Sequence, residues 1–484
     1  MAASIGRDHD DAGAILGKFG IRKGTEACGV PPSRVLPLVI LVMALPAAAR
    51  TPAVAQEVDP LRAERLASDE EIAFSIPAPE PRWEPVVARP IRSLVSDDHS
   101  DLEFLRETLR GVRIVQLGES GHGMGETALL KSRIVRFLHE ELDFDVLALE
   151  SDLYQCADAD QDASGVEPRF TLFGCAFGVW HTEEVLPLFE YLRASRATGR
   201  PLRLAGFDVQ PIGTNKKHRP TFLAALLERV DPELAERARA VDSTFLAKYA
   251  QGSGPRREYL RANRDSLLAA YGRFAEALER LVDEMTTPSA ASAAASSRQR
   301  ALVGRQTVRS IMAYIRQQTA PDDRAYAEER NRGMAENIRF LAEELFPDRR
   351  IIVWAHNAHV RHASEAVPVN PDVWPSVPAR DTGSWLRDWY GEALFTIGFY
   401  AYRGSAADNS REVYEVPEAT PTHLEYRLAR AGYRLSFVDL ERQGWAIIEQ
   451  TLRFNGQHDQ RMVPADQYDG LILIADVGPP HFLY

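Results

Sequence analysis

Short apolar runs and amphipathic stretches alternate through the first part of this chain. Val112 to Leu117 and Phe144 to Leu149 are compact apolar runs, the pattern of a strand buried on both faces. Between them, Glu126 to Leu142 sets Leu130, Ile134, Phe137 and Leu138 on one face at helical spacing. Glu183 to Ala194 repeats the helical pattern, and Leu202 to Phe207 repeats the apolar run. Strands separated by helices predict a parallel sheet with helices on both faces.

The pattern then changes. From Arg219 to Leu345 no strand pattern is found, and helical periodicity runs through Phe222–Tyr249, Arg257–Met285, Arg300–Gln318 and Ala325–Leu345. A low-complexity connector, Thr286 to Ser297, divides these stretches. Sheet-type runs resume at Arg350–Trp354, Leu394–Phe399, Leu435–Val438 and Gly470–Ala475. The expected fold is therefore α/β and three-layered, with a central, mainly parallel sheet. A long all-helical insertion would lie between the halves of that sheet and act as a lid.

This reading divides the chain into a leader (1–55), an extended N-terminal arm (56–98), a first α/β half (99–218), the helical insertion (219–346) and a second α/β half (347–484). The arm is Pro-rich from Ile76 to Pro90. The leader carries the pattern of a signal peptide: Arg34, an apolar core from Val35 to Leu45, and Ala53-Val54-Ala55 as an A-x-A site. That core is too short to span a bilayer, so the expectation is an exported protein, periplasmic or secreted, with no membrane association once the leader is removed. In an oxidising compartment Cys156 and Cys175 form an even pair, and a disulfide between them is expected. The formal net charge of −12 argues against nucleic acid or an anionic membrane as partner and leaves a small molecule.

Polar residues concentrate where four of the strand runs end. They are Gly118-Glu119-Ser120-Gly121-His122-Gly123, Glu150-Ser151-Asp152, Gly206-Phe207-Asp208-Val209-Gln210 and His356-Asn357-Ala358-His359. Ligands of open parallel sheets bind outside the carboxyl ends of the strands, so these clusters are expected to converge. Histidine titrates near neutral pH, which suits His122 as a general base. A carboxylate from Glu119 or Glu150 would fix its tautomer, and His356 and His359 would add donors for a developing oxyanion. Ser120 is a poor nucleophile candidate, because its surroundings miss the last glycine of G-x-S-x-G. His122, His356, His359, Glu119 and Glu150 are also potential metal ligands, but His139-Glu140-Glu141-Leu142-Asp143 lacks the second histidine of H-E-x-x-H. No Walker motif or dinucleotide fingerprint is present, so no nucleotide cofactor is expected.

The segments LGESGHG, LALESD, WHTEEVLPLFEYLR, AGFDVQP, RGMAENIRFL, VWAHNAHV and TGSWLRDWYGEALFTIGF occur in this order between about Arg113 and Asp476. In this the chain resembles the erythromycin esterase family. The resemblance implies hydrolysis of an ester or macrolactone by histidine-activated water, without a cofactor or an obligatory metal. It implies His122 as the base, Glu119 and Glu150 as its carboxylates, and His356 and His359 as the paired histidines. A basic residue after the first motif, an arginine in some resistance enzymes, falls here at Lys131, with Arg133 nearby as a second cation. Lys131, Arg133, Trp180, Asp208 and Gln210 are the expected substrate-binding residues. The resemblance leaves the substrate open, including that of a biosynthetic or non-catalytic relative.

Overall fold

In the computed structural model, residues 84–285, 294–371 and 377–484 are described. The leader, most of the Pro-rich arm and most of the connector Thr286–Ser297 lie outside the described residues. The main sheet is built from β1 (Arg89–Pro90), β2 (Ile114–Leu117), β3 (Phe144–Asp152), β4 (Arg203–Asp208), β5 (Arg350–Trp354), β6 (Leu394–Ala407), β7 (Val413–Val416), β8 (Leu435–Asp439) and β11 (Gly470–Val477). β9 (Gln450–Phe454) and β10 (His458–Met462) form a separate hairpin.

Across the sheet the order is β1-β8-β11-β6-β2-β5-β3-β4, with β7 paired to β6. The run from β11 to β4 is parallel throughout, while β8, β1 and β7 join antiparallel. The sheet is thus mixed and mostly parallel.

Its strands are buried on both faces because alternate side chains point to opposite sides. On β5, Ile351 and Val353 enter one apolar cluster, while Ile352 and Trp354 enter the other. The Trp354 face is covered by α1 (Gly125–Leu142), α2 (Leu153–Asp162), α3 (Pro168–Cys175) and α4 (Leu186–Ser195), with α2 contributing Cys156 and Ala159. Leu130, Ile134, Phe137 and Leu138 of α1 all lie in this cluster, as their spacing predicts. The Ile351 face is covered by the insertion: α5 (Arg219–Leu227), α6 (Pro232–Tyr249), α7 (Ser253–Glu284), α8 (Ala294–Gln318) and α9 (Asp323–Phe340).

One expectation changes here. The stretch Phe222–Tyr249 is two helices, because Pro232 cannot continue a helix and instead opens the second one, with Asp231 capping the N–H groups of Glu233 and Leu234. The insertion is also part of the packed body around the sheet. Leu302, Ile311, Met334 and Ile338 share one apolar cluster with Ile351 and Val353, so its helices are the second covering layer of the sheet.

Three helices of the insertion, α5, α6 and α7, are tied together by a buried ion pair as well. Arg219 and Asp242, both almost fully buried, pair at 2.8 Å, and Tyr271 adds a hydroxyl to the same carboxylate. Cys156 in α2 and Cys175 at the end of α3 are joined by a disulfide, with Cα atoms 4.3 Å apart. Among the described residues no helix is long and apolar enough to cross a membrane.

Candidate active site

The parallel strands β2, β3, β4 and β5 deliver their polar residues to one end of the sheet. After β2 the chain turns tightly into α1. A side chain at Gly118 would collide with Asn357, whose Oδ1 lies 2.0 Å from where its Cβ would sit. Glycine at 118 therefore lets the β2 and β5 loops touch, and Asn357 donates its backbone N–H to the Glu119 carbonyl at 2.8 Å.

Glu119 is the hub. Its Oε1 lies 2.6 Å from His122 Nδ1 and accepts a hydrogen bond from Trp180 Nε1 at 3.2 Å. Its Oε2 accepts from Lys131 Nζ at 2.7 Å. Burial alone would raise the Glu119 carboxyl, but the Lys131 charge and the His122 contact outweigh it and hold the group below the usual range. Burial likewise works to lower His122, and the hydrogen bond and charge of Glu119, with the charge of Glu150, carry it above its ordinary value.

A carboxylate on Nδ1 makes that nitrogen the donor. The lone pair of His122 then resides on Nε2, which has no hydrogen-bond partner among the described residues. His122 is also the most open of the central group, at 18% side-chain exposure against 2% for Glu119. The ring is boxed edge-on by Trp180 and by His356, at centroid distances of 5.4 and 5.1 Å.

Glu150, at the end of β3, accepts the His356 backbone N–H at 2.9 Å through Oε2. Its Oε1 faces His359 Nε2 and Arg330 Nη2, each at 3.3 Å. Burial opposes its ionisation, but the charges of His359, His122 and Arg330 hold it well below the usual range.

His356 differs from expectation. Its Nδ1 accepts from the Ala358 N–H at 3.0 Å, so its proton is on Nε2, and that proton points at the Ser120 carbonyl at 3.1 Å and at Asn455 Oδ1 at 3.3 Å. Both ring nitrogens are committed to the protein, and neither is left to receive an oxyanion. Burial pushes its pKa down to about 3, with the His122 charge acting the same way, which keeps the ring neutral. His359 is also engaged on both sides, by Asn331 Oδ1 at 2.7 Å and by Glu150.

The expected substrate-binding residues separate into several roles. Lys131 is fully buried against Glu119 and lies 4.2 Å over the Trp354 ring, so it serves Glu119 and cannot touch a substrate. Arg133 is turned away from the site. Residues two apart on a helix face different sides, and Arg133 holds the carbonyls of Ser93, Ser96 and Asp98 and the Asp101 carboxylate. Asp208 is fully buried and paired with Arg330 at 2.7 Å. Gln210 is buried in the turn after β4, where its N–H donates to Asp208 Oδ1. Trp180 borders the His122 ring directly. Ser120 Oγ is buried and turned toward Met124 Sδ at 3.7 Å, consistent with its rejection as a nucleophile.

Three site residues escaped the sequence reading. Arg330 and Asn331 reach in from α9, immediately before the RGMAENIRFL segment. Asn455 comes from the β9–β10 turn, and its signal was the Asn455-Gly456 dipeptide of a hairpin.

The profile of the erythromycin esterase family matches residues 139–477, more than two thirds of the chain. The chain belongs to the erythromycin esterase family. Among curated relatives of this member, the putative hydrolase YbfO of Bacillus subtilis is 30% identical over 425 residues, spanning 83% of this chain and 92% of YbfO. Among solved structures, a Bacillus cereus protein superposes with a TM-score of 0.68 at 18% identity, covering 82% of this chain and 97% of its own. A mutant of erythromycin esterase EreC in its open conformation gives a TM-score of 0.64 at 19% identity, over 82% of this chain and all of the EreC chain. These likenesses establish the fold, and family membership supports a hydrolase acting on a small molecule.

Proposed function

We propose that this family member is an exported carboxylic ester hydrolase that uses His122 to activate water against an ester or macrolactone carbonyl. One observation carries the reading: His122 donates Nδ1–H to Glu119, while its Nε2 has no hydrogen-bond partner among the described residues and its side chain is 18% exposed. That is the arrangement a general base needs.

In this scheme Nε2 takes a proton from water while the water oxygen forms a bond to the carbonyl carbon. The imidazolium so formed is stabilised by Glu119, whose carboxylate accepts hydrogen bonds from Lys131 and Trp180. When the tetrahedral adduct collapses, the C–O bond to the leaving group breaks and Nε2–H returns the proton to the departing alkoxide. Water and ester give acid and alcohol, and His122 ends as it began.

The macrolactone part of the proposal comes from the named activity of the EreC relative. Export is supported by the A-x-A leader and by the Cys156–Cys175 bridge. The insertion closes one side of the site through Arg330 and Asn331 on α9.

The test is hydrolysis of p-nitrophenyl butyrate, a δ-lactone and erythromycin by the mature protein and by His122→Gln, each with and without a chelator. Turnover should drop about 10²–10⁴-fold in the variant and survive chelation. Near-normal turnover by His122→Gln would overturn the proposal, as would loss on chelation reversed by Zn²⁺.

A further inference from the structure

A base that activates water leaves negative charge on the carbonyl oxygen, and that charge needs a donor. His356 cannot supply it, since both of its nitrogens are engaged. We propose that the side-chain amide of Asn455 is the oxyanion donor; this rests on the His122 reading above.

The assignment follows from the hydrogen-bond network. His356 Nδ1 accepts a backbone N–H, so Nε2 carries the proton, and the Asn455 atom facing it at 3.3 Å must be the oxygen. The amide nitrogen Nδ2 is thereby pointed elsewhere, and it has no hydrogen-bond partner among the described residues.

Asn455 sits beside the base. Its backbone N–H donates to the Ser120 carbonyl at 2.8 Å, and a Cβ on Gly121 would lie 3.6 Å from its Oδ1. Both contacts are with residues that immediately precede His122. The neighbouring Phe454 ring packs on His356 at 5.0 Å, and His356 packs on His122.

The mount is rigid, as a preorganised donor requires. Asn455 and Gly456 both have positive φ, +53° and +71°, and Gln457 N–H closes the turn on Phe454 O at 3.0 Å. Phe454 pairs with His458, so Asn455, Gly456 and Gln457 form a three-residue loop, and Asn and Gly are the residues that best accept its positive φ. Below the turn, buried Arg453 donates to the carbonyls of Pro417, Ala401 and Tyr402, and Glu425 accepts the Arg453 backbone N–H at 2.8 Å.

A turn asparagine would serve the hairpin alone, and substitution separates the two roles. Asn455→Gly keeps a residue suited to positive φ and keeps the backbone N–H, but removes the amide. Asn455→Asp keeps the shape and exchanges the donor for an acceptor. With p-nitrophenyl butyrate, both variants should melt near the parent temperature and lose about 10²–10³-fold in kcat with KM nearly unchanged. Affinity for a phosphonate analogue of the same ester should fall by a comparable factor, a change that a turn-only role would not produce. Asn455→Gly turning over at the parent rate while His122→Gln is inactive would overturn this inference and leave the base in place. Full activity in His122→Gln, or no ester hydrolysis by the parent protein, would remove the base and the oxyanion donor together.

Discussion

Lys131, without exposed surface, donates to Glu119 Oε2 at 2.7 Å from a helix that starts six residues before it. Glu119 in turn holds His122 at 2.6 Å, so a buried cation, a carboxylate and an imidazole form one line from the core to the open side of the site. Burial pushes Lys131 down to about 8, against the pull of Glu119, which marks how much solvation this line gives up.

The pH dependence of hydrolysis follows from that line. His122 works as a base only when neutral, so the rate should fall as pH drops through its pKa. Glu119 and Glu150 raise that pKa, so the acid limb should inflect above the ordinary histidine value of ~6.5. Glu119→Gln removes the raising hydrogen bond and the larger raising charge and leaves Glu150 against burial, so the inflection should move to lower pH while kcat falls. A kcat–pH profile of both proteins checks the sign; an unmoved inflection would detach Glu119 from the titration.

Breaking the line from its buried end should cost stability. Lys131→Met leaves the Glu119 charge in the core without its cation, a loss of about 3–5 kcal/mol for a buried pair. Lys131→Arg keeps the charge but brings a larger, forked head against Trp354, and should lose less. Urea denaturation of the three proteins at neutral pH gives the comparison, and equal midpoints would refute it.

Arg330 joins the insertion to two strand ends, reaching Asp208 at 2.7 Å and Glu150 at 3.3 Å. Arg330→Gln should lower kcat at least tenfold, because Glu150 then loses a partner that keeps it ionised and fixed. Arg330→Lys keeps a point charge but not the fork, and should retain the melting temperature better than the glutamine variant. Steady-state kinetics with thermal denaturation resolves the two effects.

The Cys156–Cys175 bridge closes a segment with a sequence separation of 19 just after Glu150. Loop-closure entropy assigns such a bridge roughly 3 kcal/mol. The Cys156→Ser, Cys175→Ser double variant should lose about that much in denaturant. Its kcat should change little, since both cysteines lie in the apolar cluster on the Trp354 face of the sheet.

Much of this molecule was legible in the linear pattern. The runs at 112–117, 144–149, 202–207 and 350–354 appear as β2 to β5, because a strand buried on both faces must be apolar without interruption. The helix Glu126–Leu142 was legible because its apolar side chains recur at helical spacing and enter a single cluster. Glu119, His122, Glu150, His356 and His359 were legible because parallel strands deliver whatever follows them to one edge. The hairpin β9–β10 was not, since Gln450–Phe454 and His458–Met462 mix polar and apolar side chains, and Arg453 of β9 is buried against the carbonyls of Ala401 and Tyr402.

Residue identity and spacing along the chain thus determined which groups gather at the sheet end and that a histidine and a carboxylate lie among them. Tertiary structure alone decided their protonation and their direction. Which nitrogen of His356 bears the proton depends on the Ala358 N–H that folds back on it. That Lys131 serves Glu119 while Arg133 faces away depends on the rotation of α1 against the sheet. That Asn455 reaches Ser120 depends on a contact between residues 335 positions apart, which no local pattern encodes. Donor and acceptor roles are properties of partners, and partners are chosen only when the chain packs.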